Sequence, residues 1–273
     1  MPTLTPALRS EYQMLFETCR LKPGNANTVK DIAEKILANK PRYDAVAVAA
    51  GVPWFFIGIT HYLECSLSFS KHLHNGDPLN AKTIHVPAGR PLSKTWTWET
   101  SAIDAIGIEK TNKPSLLWSD WTIAGTLFKL EAYNGFGYRD YHAMNTPYLW
   151  SFSQHYKTGK YIEVMVNGKP VVQWRPELVS QQLGSACILR YLANKNAITF
   201  PTDTKVVADY QALAFQAEYA PAKFSDVAHF MQTYLNATYD AGLEQDGKAG
   251  FISSDILFAL TGKHLVNDPR YKK

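Results

Sequence analysis

Residues 53–64, PWFFIGITHYLE, restrict the fold of this chain more than any other stretch. Proline is pre-organised for the start of a helix, and Pro53 opens one here. The run that follows is almost wholly apolar, so other elements must cover most of its turns. Trp54, Ile57, His61 and Glu64 recur at threes and fours and share one side of that helix. Since the preceding turns are covered, that side points inward and ends in a carboxylate. A polar turn, HNGDPL at 74–79, then carries a second carboxylate, Asp77.

A carboxyl group held away from water keeps its proton more easily, so the pKa of Glu64 is expected to rise. Such a group suits the protonation of a glycosidic oxygen near neutral pH. Asp77 follows the Asn75–Gly76 turn and can fold back over the helix end, and Thr83 stands six residues further on. In inverting glycosidases a second carboxylate, roughly 6.5–9.5 Å from the acid, activates water. A threonine hydroxyl could hold that water. Plainer readings stay open: a helix-end glutamate in solvent, an aspartate bonding its own turn, a threonine of an ordinary strand.

Helical spacing recurs along the chain. It predicts helices over 6–20, from Asn27 or Thr28 through Leu37, near 41–50 with a stop at Gly51, and from Trp98 to Lys110. Further helices are expected from a Ser119 cap to Asn134 and from Pro176 to Leu192. Residues 70–96 read as a small β-hairpin or irregular sheet, and YIEVMVNGKPVVQW, 161–174, as a hairpin with Asn-Gly at its turn. Between them NGFGYRDYHAMNTPYLWS, 134–151, is a glycine- and aromatic-rich loop long enough to suggest function. Residues 193–205 read as a linker. Beyond it Ser225 caps a stripe of Val227, Phe230, Met231, Tyr234 and Leu235, and a helix capped by Ser253 closes at Gly262. The class expected is α+β, mainly α, with a domain over 1–195 and a small helical one over 205–273.

Several function classes are set aside by composition. A net charge of +4 comes without a basic run, which argues against nucleic acid, although a mild positive field favours an anionic polymer. No segment reaches the roughly 20 apolar residues of a membrane span. The three cysteines, Cys19, Cys65 and Cys187, lie far apart among apolar residues and read as free thiols of a reducing compartment. His61, His72, His74 and His85 lack metal-site spacing, so structural or sugar-contacting roles are expected, with no metal and no cofactor. Aromatic residues make up 13 % of the chain; most fill a core, and the rest suit the C–H faces of sugars.

The strings VPWFFIGITHYLECSLSF, KHLHNGDPLNAKTIHVPAGRP, WETSAIDAI, EAYNGFGYR and TPYLWS, spread over most of 40–192, together resemble a family of bacterial and phage endolysin-type, lysozyme-like proteins. That resemblance implies a lysozyme-like helical lobe with a small β-element. It also implies cleavage of the β-1,4 bond between N-acetylmuramic acid and N-acetylglucosamine, with Glu64 as acid. An aspartate followed six residues later by a threonine is similar to phage-type lysozymes and maps onto Asp77 and Thr83. The gap from Glu64 to Asp77 is longer than that pattern, and Cys65 stands where relatives more often carry serine. EAYNGFGYR also resembles the AYNAG segment of lytic transglycosylases, which implies Tyr133 and Asn134 as sugar contacts and Glu64 as sole acid and base. His61, His74 and Tyr138 are expected as further substrate contacts. MQTYLN, DGKAG and SSDILFAL resemble a peptidoglycan-binding module.

The expectation is therefore a monomeric peptidoglycan glycosidase, a muramidase or a lytic transglycosylase. A non-catalytic wall-binding protein or a chitinase-like enzyme stays open. The N-terminus lacks the pattern of a signal peptide. Synthesis in the cytoplasm is expected, with action on the wall after release or non-classical export.

Overall fold

The Thr5 hydroxyl accepts from the Leu8 amide at 3.3 Å, Pro6 follows, and α1 runs Pro6–Thr18. The computed structural model describes residues 2–271 of the chain. α2 spans Ala26–Ala38 and α3 Lys40–Ala50, the latter stopped by Gly51 in the left-handed conformation. Pro53 precedes α4, Trp54–Cys65, and α5 runs Trp98–Asn112 behind a reciprocal cap between Thr97 and Thr100. A short 3-10 turn, Pro114–Leu116, leads to α6, Ile123–Asn134.

Then come α7 (Gly137–His142) and α8 (Pro147–Trp150), the strands β1 (Lys160–Val166) and β2 (Lys169–Arg175), and α9 (Ser185–Asn194). The C-terminal part holds α10 (Tyr210–Ala214), α11 (Asp226–Tyr239) and α12 (Phe251–Thr261). Among the described residues the protein is thus mainly α, with one two-stranded antiparallel sheet.

Helix α4 lies in the middle of the lobe. α3 packs between it and α5, α6 and α9 reach its other sides, and α2 closes on α9. Phe56, Ile57 and Ile59 have no exposed surface. Each contributes roughly 1.5–3 kcal/mol by leaving water. That burial fixes where the C-terminal end of α4 emerges, and with it Glu64.

Several expectations change. Asn27, Thr28 and Ser253 are not caps: α2 begins at Ala26 and α12 at Phe251, ahead of those residues and with no side-chain cap. Residues 70–96 form no strand; one bridge, Lys71 with Pro78, a few backbone hydrogen bonds such as Thr83 to Arg90, and side chains order this loop. Pro78, Pro87 and Pro91 have no amide to give a ladder. Helix α6 is capped by Thr122 rather than Ser119, because the Asp120 carboxylate takes the Thr122 amide and hydroxyl and prolongs the turn. The aromatic loop 134–151 contains α7 and α8. The helix expected from Pro176 starts only at Ser185, since the Ser180 and Leu183 amides donate to the hydroxyls of Tyr156 and Tyr62 at 3.0 Å each.

The Asn-Gly hairpin forms as read. Asn167 and Gly168 both have positive φ, 50° and 74°, and Tyr161 pairs with Trp174. The segment read as a linker is fastened to the lobe. Phe200 meets the edges of Phe16 and Phe55, each at 5.7 Å, and Asp203 pairs with Arg9 at 2.6 Å. α11 then packs along α1, so the C-terminal helices share a core with the lobe. Among the described residues no single helix is long and apolar enough to cross a membrane.

Candidate active site

Glu64 is the last residue but one of α4. The negative end of the helix dipole lies there, and it disfavours an ionised carboxylate. Ser66 and Leu67 follow with φ of 51° and 63°, two successive non-glycine residues in the left-handed region. Such backbone costs on the order of 1 kcal/mol or more per residue and tends to cluster at working sites. It turns the chain so that the 70–96 loop passes back over the helix end.

Burial pushes the Glu64 carboxyl up to about 7; the Glu109 carboxylate pushes the same way and Lys113 opposes both. Glu109 and Lys113, at the end of α5, pair at 2.8 Å. Lys113 Nζ also donates to the Ala132 carbonyl at 3.1 Å and lies 5.5 Å from the Tyr133 ring centre, which ties the ends of α5 and α6 together. Burial and then the charge of Glu64 raise the hydroxyls of Tyr133, on α6, and Tyr148, on α8. Groups of α5, α6 and α8 thus share an electrostatic neighbourhood with the carboxyl at the end of α4. Asn134 follows Tyr133, and its Nδ2 is buried with no hydrogen-bond partner among the described residues, an unused donor.

Asp77 and Thr83 lie in the loop with their polar atoms engaged. Asp77 Oδ2 accepts from the Ile84 and His85 amides at 2.8 and 3.0 Å, and Oδ1 meets His85 Nδ1 at 2.6 Å. Burial would raise this carboxyl, but the bonds from His85 and Ile84 hold it down to about 2. The Thr83 hydroxyl donates to the Pro87 carbonyl at 2.5 Å and accepts from the Arg90 amide at 2.9 Å. Both residues thus shape the loop, and the water-activating arrangement read from their spacing would require these bonds to open.

Gly76 fastens that loop to the acid. Its φ is +77°, and a Cβ there would stand 2.9 Å from the Glu64 carbonyl oxygen. Gly76→Ala is expected to lower stability by about 1–3 kcal/mol and to slow any reaction that uses Glu64. An unchanged urea midpoint in this variant would show that the loop does not press on the helix end.

The other residues expected at the site separate. His61 has no exposed surface. Its Nδ1 meets the Tyr43 hydroxyl at 3.0 Å, its ring packs on Phe69 and Trp98, and burial pulls it down to about 4. His74 bonds Asp104 at 2.8 Å, and Arg90 pairs with the same carboxylate. These two histidines are parts of the frame. Tyr138 is buried, and its hydroxyl accepts from the Tyr161 amide at 3.1 Å. It nevertheless extends the site: its ring meets Tyr148 at 5.9 Å, Tyr161 at 5.3 Å and Trp174 at 5.9 Å. An aromatic file thus leads from the neighbours of Glu64 to the base of the hairpin.

Glu109, Lys113 and Tyr148 were not legible as site residues. Glu109 and Lys113 are spaced as an ordinary surface pair on a helix, and Tyr148 stands in TPYLWS beside no motif that marks it. Among the described residues no three His, Cys, Asp or Glu side chains gather as a metal-ligand set. All three cysteines are buried and free. Set against family models, curated proteins and solved structures, the chain matches none.

Proposed function

We propose that the protein cleaves the glycan of peptidoglycan, at the β-1,4 bond between N-acetylmuramic acid and N-acetylglucosamine, with Glu64 as proton donor. The observation that carries this reading is the carboxyl raised to about 7 by burial and by Glu109. A general acid works best when its pKa lies near the working pH. Glu64 gives its proton to the glycosidic oxygen as the bond to the sugar breaks, and an oxocarbenium-like centre develops. Tyr148 and Tyr161, partly exposed on either side of the buried Tyr138, offer ring surface for the sugars. The C-terminal helices, in this reading, hold the wall polymer.

The engaged Asp77 favours one version of this chemistry. A carboxylate held down to about 2 is a weak base, and its hydrogen bonds occupy both oxygens. After the leaving group departs, the Glu64 carboxylate is then the base. It takes a proton from water, or from a hydroxyl of the same sugar with closure of an anhydro ring. Asp77→Asn is accordingly expected to lower the melting temperature, through the loosened 84–85 backbone, while turnover falls less than about tenfold. A loss of a thousandfold or more with the fold intact would restore the two-carboxylate mechanism.

Mass spectrometry of the sugar ends released from purified peptidoglycan tests the proposal. Anhydro-muramic acid indicates the single-residue route, and reducing muramic acid indicates hydrolysis. Binding to the wall without either product would overturn the enzymatic reading.

A further inference from the structure

A cleft runs along the seam between the lobe and the C-terminal helices. It consists of two cavities, of about 750 and 730 Å³, both lined by Ala143 and Gln245. Single cavities of this size take ligands of several tens of atoms. In the first, the side chains Asp140, Asp226, Glu244 and Asp246 stand against one lysine, Lys248. The ion pairs of this cavity are those of the buried Glu11, with Arg139 at 2.7 Å and with His229 at 2.6 Å. The four outer carboxylates take part in none among the described residues. A chain of net charge +4 thus presents a locally acidic cleft, and low-dielectric walls concentrate that field.

A second observation is independent of charge. Gln245, 8 % exposed, lines both cavities, and its Oε1 has no hydrogen-bond partner among the described residues. Thr233, with no exposed surface, lines the second cavity with an equally unpartnered Oγ1. Buried polar atoms are nearly always paired. Gln245 thus brings an unpaired acceptor to the wall that the two cavities share.

We propose that the cleft binds a short peptide bearing a free primary ammonium. The outer carboxylates attract the ammonium, and Gln245 accepts a hydrogen bond from the peptide. Charge and the unpaired acceptor stand without the proposed function. Only the source of the peptide rests on that reading, namely the amine-bearing stem peptides of the wall polymer.

Calorimetric titration of the full chain with Nα-acetyl-L-alanyl-D-isoglutaminyl-L-lysine amide, whose only ammonium is the lysine Nε, provides the test, with the Nα,Nε-diacetylated peptide as its partner. Saturable binding is expected, weaker by about tenfold after acetylation of Nε and weaker again at high salt. The double variant Asp140→Asn, Glu244→Gln is expected to lose affinity by a similar factor with its circular dichroism unchanged. Gln245→Leu is expected to weaken binding of both peptides. Absence of saturable binding, or equal affinity for the diacetylated peptide, would overturn the proposal. Glu64→Gln should bind as the unaltered chain does. Peptide binding without sugar release would thus sink the proposed function alone, and sugar release without peptide binding would sink the cleft alone.

Discussion

Glu64→Gln is expected to cut the release of sugar ends from peptidoglycan by about a hundredfold to ten-thousandfold, because the amide has no proton to give and general acid catalysis supplies roughly 10²–10⁴. The same variant should not be less stable. An ordinary glutamate, as in the unfolded chain, titrates at 4.5, and here burial first and Glu109 second raise the folded value to about 7. Between those values the folded chain holds a proton that the unfolded chain has lost, so stability falls as pH rises through the window. Above pH 7 the cost reaches up to about 3 kcal/mol, and the variant escapes it. Urea titrations of the two proteins should therefore coincide at pH 4 and separate at pH 8, with the variant the more stable. A variant that keeps full lytic activity, or one less stable at pH 8, would contradict the role assigned to this carboxyl.

The second large effect is expected at Arg139. Its guanidinium, on α7, pairs with Glu11 of α1 at 2.7 Å and lies 3.4 Å from Glu131 of α6, and both carboxylates are 1 % exposed. His229 of α11 closes the cluster on Glu11, and the Tyr12 hydroxyl donates to Glu131 at 2.6 Å. Burial alone would raise the Glu11 carboxyl, but Arg139 and then His229 hold it down to about 2. Arg139→Met leaves buried Glu11 with His229 alone and buried Glu131 with only the Tyr12 hydroxyl, at the junction of the lobe and the C-terminal helices. Breaking a buried pair in this way costs about 3–5 kcal/mol. The depressed carboxyl contributes stability above pH 4.5, its ordinary value, and that contribution disappears as pH falls towards 2. The deficit of the variant should therefore be largest near neutrality and shrink at pH 3. A deficit under about 1 kcal/mol at pH 7 would mean that the cluster does not hold the seam.

The parts of the fold that could be read in advance are those governed by local chemistry. Pro53, Gly51 and Ser225 mark helix ends because each acts through its own backbone or a cap a few residues away. Asn167–Gly168 sets its hairpin for the same reason. The 70–96 loop was misread because its order comes from contacts distant in the chain, such as His74 and Arg90 on Asp104. The start of α9 was misread because tyrosine hydroxyls capture amides that a helix would have used.

At the candidate site, the place of Glu64 at the end of a covered helix was legible from one periodicity and one apolar run. Its partners were not. Whether a helix-end carboxyl is dry depends on what α5, α6 and α8 lay against it, and Glu109, Lys113 and Tyr148 carry no mark of that in sequence. The spacing of Asp77 and Thr83 was legible as well, but their hydrogen bonds to the 84–90 backbone were not. Those bonds decide whether the side chains are free to act on water.

Carbon-13 NMR titration of the Glu64 side-chain carboxyl, its resonance identified by its loss in Glu64→Gln, reads whether this group holds a proton near neutral pH. A midpoint near 7 is expected, with the group largely protonated at pH 6. A midpoint at the ordinary glutamate value of 4.5 would mean that this carboxyl is hydrated and ionised at neutral pH, and no proton donor would remain at the end of α4.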